Sequence, residues 1–185
     1  MQKYGFKVAL SSLLLVVLIT SFVSSAQEET QQELLEKRNQ LQRNFLSLYD
    51  EERYQQSILT ASEILNITLE IYGPESQNLV NPLNNLASSY FMIGDFEQAI
   101  KIFIECIDLI ESNNIISSDL VSPLVALGLA FNKSEKYNEA VEVFKRALHI
   151  NWVNNGFYNL EQINIHDSLT ESFIGLKNLE EAHHH

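Results

Sequence analysis

Apolar residues recur along this chain at steps of three and four, in short stripes separated by polar turns. Leu83, Leu86, Ala87 and Tyr90 stand at i, i+3, i+4 and i+7, which marks one face of a helix. Phe96, Ala99, Ile100, Phe103 and Ile107 form a second stripe. Between them, Ile93-Gly94-Asp95 reads as a turn. Gly relieves the strain of a left-handed helix cap, and Asp accepts from the free N–H groups that open the next helix. The pattern predicts two antiparallel helices, A and B. Ala87 and Ala99 let their axes approach closely, while Tyr90 and Phe103 fill the space beside them.

The same residue classes return further along the chain. Leu86-Ala87, Tyr90, Gly94, Phe96, Ala99, Phe103 and Cys106 are matched 41 residues on by Leu127-Gly128, Phe131, Glu135, Tyr137, Ala140, Phe144 and Ala147. A further 42 residues on stand Leu169-Thr170, Phe173, Lys177, Leu179 and Ala182. Leu48, Tyr54, Ser57, Ala61 and Ile64 precede the clearest copy by 42. One hairpin cannot bury its apolar stripes alone, so successive copies must stack. The predicted fold is all-α, an α-solenoid of about three and a half helical hairpins.

These residues resemble the tetratricopeptide repeat (TPR). Leu127, Gly128, Phe131, Ala140 and Phe144 follow its pattern in order and spacing. The longer period, with the runs Ile71-Tyr72-Gly73-Pro74-Glu75-Ser76 and Leu83-Asn84-Asn85-Leu86-Ala87, looks like the subtype of kinesin light chains. The resemblance covers residues 34 to 182, with repeats at about 38–79, 80–120, 121–162 and an incomplete 163–185. Ser57 replaces the small Ala of the first copy, Glu135 replaces the turn Gly of the third, and the closing Pro is absent.

The chain's first residues, 1–26, read as a cleaved secretory signal peptide. Lys3 and Lys7 precede a largely apolar stretch from Val8 to Val23, and Ser24-Ser25-Ala26 supplies small residues for cleavage. A retained membrane anchor is the alternative, although the purely apolar run Leu13–Ile19 is short against the roughly 20 residues a spanning helix needs. The expected location is periplasmic or secreted. Residues 27–33 should be a disordered or helical lead-in. At the far end, a second helix should open near Asn178, and His183–His185 read as a tag, natural residues or a metal-binding tail.

Charge narrows the partners. The chain carries 12 Lys and Arg against 24 Asp and Glu, a formal net charge of −12, and loss of residues 1–26 makes it −14. Phosphate binding needs a basic surface, so nucleic acid is excluded, and docking on anionic lipid is disfavoured. No constellation specifies an enzyme. Cys106 occupies a small, buried-type position and has no base beside it. His149 and His166 are expected at a helix end and between repeats, in no zinc-binding spacing. Asn66-Ile67-Thr68 and Asn132-Lys133-Ser134 fit the glycosylation sequon but fall in or at the ends of helices. The sequence calls for no cofactor and no metal.

The resemblance implies that helix A of each unit lines a concave groove. Groove residues would then be Asn81, Asn85, Ser88 and Met92, flanked by Asn84 and Phe91. The third copy adds Ser122, Val125, Ala126, Leu129 and Lys133, the first Asn39, Arg43 and Leu46, and the fourth Asn164, Ser168 and Glu171. An Asn amide both donates to and accepts from an extended peptide backbone. The expectation is a non-enzymatic module that binds a protein or peptide. One alternative is the docking array of a larger exported or membrane-bound enzyme. Another is a scaffold that self-associates through its incomplete last repeat.

Overall fold

The computed structural model describes residues 29–112, 114–156, 159–178 and 182. The chain divides into two units, Met1–Gln40 and Leu41–His185. In the first, the described residues, 29–40, are helical, including 29–33 of the expected lead-in. The signal segment, His183–His185 and residues 179–181 of the expected last helix lie outside the described residues.

The second unit holds the repeats. Helical residues 41–50 (α1) are followed by α2 (Tyr54–Tyr72), α3 (Val80–Met92), α4 (Phe96–Glu111), α5 (Val121–Lys133), α6 (Tyr137–Asn155) and α7 (Leu160–Gly175). One-turn 3-10 helices, Gln77–Leu79 and Ser118–Leu120, lead into α3 and α5. Each hairpin is an A helix (α1, α3, α5) followed by a B helix (α2, α4, α6), and α7 is the A helix of the fourth copy. Among the described residues no strand occurs.

The apolar stripes pack as their spacing predicts. Ala61, Ala87, Ala99, Ala140 and Ala147 are fully buried, as are Phe103 and Phe144. Removing one such aromatic from water contributes about 1.5–3 kcal/mol. One core runs from Leu79 through Phe103, Leu124 and Phe144 to Phe173, and a second joins Phe45, Ile58, Ala61, Ile64 and Leu86. From α2 to α7 consecutive helices pack on one another, and A helices also meet, α3 against α5 and α5 against α7. Among the described elements the B helices make no comparable approach. The more closely spaced helices occupy the smaller radius of a stacked array, so the A helices form its inner face.

The turns between A and B helices repeat in atomic detail. Asp95 donates its amide to the Tyr90 carbonyl and Gly94 to Phe91, each at 3.0 Å. Arg53 to Leu48, Lys136 to Phe131 and Asn178 to Phe173 repeat the first bond at 2.9 Å. Glu52 to Tyr49, Glu135 to Asn132 and Lys177 to Ile174 repeat the second at 2.9–3.0 Å. These paired bonds are the Schellman cap, whose central residue is left-handed. That residue is Glu52 (φ 59°), Gly94 (φ 82°), Glu135 (φ 58°) and Lys177 (φ 59°) in the four copies. The loss of glycine at Glu135 therefore left the turn unchanged. Tertiary packing holds three side-chain-bearing residues in a conformation glycine would adopt without strain.

Caps between repeats are equivalent too. The side chains of Ser76, Ser117 and Asn159 accept from the amides of Asn78, Asp119 and Gln162 at 3.2, 3.3 and 3.2 Å. Polar contacts also join the copies inside the core. Ser57 donates to Ser89 Oγ at 2.9 Å, which explains the Ser in place of Ala in the first copy. Asn132 accepts from Ser172 Oγ at 2.8 Å and donates to the Ser168 carbonyl at 3.3 Å, linking α5 to α7. Asn132, in the second sequon, is thus buried and engaged. His149 and His166 correct an expectation: each lies inside a helix, α6 and α7, because the apolar periodicity continues through them.

Candidate functional site

The predicted groove residues separate into two groups. Asn81, Asn84 and Ser122 line one cavity of about 410 Å³ at the N-terminal ends of α3 and α5. Gln77, Val80, Ser118, Asp119, Val121, Pro123 and Glu161 complete its wall, with Cys106 in the floor. Three successive A-helix starts therefore converge on one concavity. Asn85, Ser88, Met92, Val125, Leu129 and Asn164 are not in its lining. Asn85 and Ser88 are half-buried further along α3, and Met92 and Asn164 are exposed. Val125 and Leu129 pack against the core and are only half-buried. Helical steps put these residues on one stripe, but A-to-A packing covers part of the same face.

One atom in the cavity wall is unusual. Asn84 Oδ1 is shielded from solvent and has no hydrogen-bond partner. A buried acceptor left unpaired costs about 1–3 kcal/mol, so this position works against stability. On the opposite side Glu161 is held by a polar chain. Asn151, itself fully buried, donates to Glu161 Oε2 at 2.5 Å and accepts from Asn159 Nδ2 at 2.8 Å. Glu161 was not anticipated in the sequence, since its approach to α3 and α5 depends on the stacking of a third repeat.

The rest of the surface offers different chemistry. Outer clefts between B helices are mainly apolar, one floored by Ile104, Ile107, Leu124 and Leu127 with the ion pair Glu111–Arg146 in its wall.

Tetratricopeptide repeat models match residues 46–112 and 124–151, together just over half of the chain. The chain belongs to the tetratricopeptide repeat family. The TPR array is a scaffold for protein–protein interaction. Its fold is similar to that of the nearly identical TPR-like repeats of a Podosopora anserina kinesin light chain-type protein, at TM-score 0.69 and 12% identity, covering 78% of this chain and 69% of that one. It is also similar to BtubC (BKLC) from P. vanneervenii, at TM-score 0.67 and 20% identity, over 74% of this chain and 56% of that one. The apo form of RapI matches at TM-score 0.70 and 17% identity, over 80% of this chain and 52% of that one. No curated protein matches the chain.

Within this TPR array the lone thiol is inert. Burial, and secondarily the Glu105 charge, push the Cys106 pKa up to about 12, so the thiol stays protonated at neutral pH. Its Sγ lies 3.5 Å from the Val80 carbonyl. Among the described residues no cluster of His, Cys, Asp and Glu could hold a metal ion.

Proposed function

We propose that this TPR protein is exported and binds an extended segment of a partner protein on its inner face, without catalysing a reaction. The observation that carries the binding reading is the unpaired Asn84 Oδ1 in the wall of a cavity built by three A-helix starts. Once the amide turns toward the cavity, an incoming amide or side-chain donor would satisfy that acceptor, so a cost in the free protein is relieved on binding. Because the array is already packed, the flexible segment bears most of the ordering entropy. Export rests on Lys3, Lys7, the apolar run and Ser24-Ser25-Ala26.

The test is affinity capture with mass spectrometry, run in parallel on the parent and on the Asn81→Ala, Asn84→Ala double variant, after their helical circular dichroism is shown to agree. A protein retained by the parent and lost by the variant supports the reading. Equal recovery from both overturns it. Export is tested separately by the mass of the protein recovered from its native compartment, which should lack residues 1–26.

A second reading, self-association, is favoured by the outward face of α7, where Leu160, Ile163 and Ile174 are all more than half exposed. It predicts a concentration-dependent dimer in sedimentation that is lost in Ile163→Glu.

A further inference from the structure

Acceptors dominate the wall of the inner cavity. Asp119 and Glu161 contribute carboxylates from two different elements, the 3-10 turn before α5 and the start of α7. Ionised carboxylates only accept hydrogen bonds. Asn84 adds the unpaired amide oxygen, and Gln77, Asn81, Ser118 and Ser122 can each accept as well. No Lys or Arg stands among the described lining residues. Around the cavity the protein as a whole is acidic, with a formal net charge of −12. A carboxylate or phosphate entering here would meet two full negative charges and no Lys or Arg, against only the partial positive charge, roughly +0.5 each, of the helix starts.

A ligand that fits must therefore bring several donors and a positive charge. Glu161 is already aimed, because Asn151 fixes one of its oxygens at 2.5 Å and is itself held by Asn159. That leaves its other oxygen for a partner without a fresh cost of ordering the side chain. Resting on the binding reading above, we propose that the cavity receives the guanidinium group of an arginine carried on an extended segment of a partner protein. Arginine presents five N–H donors in a rigid fork, which can reach acceptors on several walls at once. Lysine offers a compact, strongly hydrated point charge and matches such a distributed set less well. The volume of about 410 Å³ lies within the range of side-chain and small-ligand pockets, about 300–1,000 Å³. Asn84 Oδ1 is shielded in the free protein, so a guanidinium N–H would supply its missing partner only once the amide turns toward the cavity.

The experiment is selection from a library of random dodecapeptides displayed on phage, against the immobilised full chain and against the Asp119→Asn, Glu161→Gln double variant with matching circular dichroism. Peptides recovered on the parent should be enriched in Arg at one position. Synthesised, the best of them should bind the double variant at least about tenfold more weakly, and its Arg→Lys form should lose about tenfold on the parent. Binding should also weaken as NaCl is raised. Recovery of peptides without Arg enrichment, or equal affinity for parent and double variant, overturns the guanidinium assignment while leaving the inner face as a binding surface. Failure to recover any binder overturns both.

Discussion

The two central hairpins trace the same path with their glycines in opposite places. In α3–α4 the glycine sits in the turn, Gly94, and the helix carries Ala87 against Phe103. In α5–α6 the turn carries Glu135, and the glycine has moved into the helix as Gly128, against Phe144. Both turns nevertheless keep a left-handed centre and the same pair of Schellman bonds. The helix contact differs more. A Cβ placed on Gly128 would stand 2.6 Å from the Phe144 ring, whereas the equivalent position of α3 is the fully buried Ala87. The repeat is therefore specified by the aromatic packed between helices and by the small residue facing it. The turn follows from that packing, even at the strain of a non-glycine residue with positive φ.

Several substitutions would break or sharpen this contrast. Phe103→Ala and Phe144→Ala should each destabilise by about 3–5 kcal/mol, because both rings are fully buried and leave large cavities. Urea unfolding would measure it, and a loss below about 1 kcal/mol at either site would deny the aromatic its role. Gly128→Ala should come next. Helix propensity favours Ala by about 1 kcal/mol, but overpacking against a ring at 2.6 Å costs about 1–3 kcal/mol. The expected net loss disappears when Phe144→Leu makes room. Persistence of the loss in that double variant would locate the effect elsewhere.

The turn substitutions should have smaller and opposite signs. Glu135→Gly removes left-handed strain but loosens the unfolded chain, for a net gain of up to about 1 kcal/mol. Gly94→Ala should lose about 1 kcal/mol by the same reasoning. Thermal melts of the two variants that moved in the same direction would contradict the equivalence of the turns. Asn84→Ala is expected to have the smallest effect on stability. Deleting an unpaired acceptor offsets the lost packing, so stability should hold or rise by up to about 1 kcal/mol.

The hairpins were legible from the sequence because the residues that define them interact locally. Leu86, Ala87 and Tyr90, or Phe96, Ala99 and Phe103, mark their faces at helical spacing, and Asp95 caps α4 through the Gln98 amide as its position suggests. Glu135 could not announce a positive φ, since nothing in a Glu side chain asks for it. Asn132 carried a readable signal. It occupies the register of Phe91 and Ile174, and an Asn in an apolar register implies a buried partner, here Ser172. The cavity was legible only in part. Helical steps placed Asn81, Asn84 and Ser122 on one face, but periodicity within one helix says nothing about how far neighbouring A helices cover it. Val125 and Leu129 stand half-buried against the core, and Glu161 reaches the cavity from α7.

The most direct test of the inner face as a binding surface is the affinity of one library-selected peptide for the parent and for Asn84→Ala, by isothermal calorimetry. If Asn84 is held unpaired for a partner, the variant should bind about tenfold more weakly while its thermal midpoint is not lowered. Equal affinity for the two proteins would contradict the account, leaving Asn84 as an unsatisfied position with no part in binding.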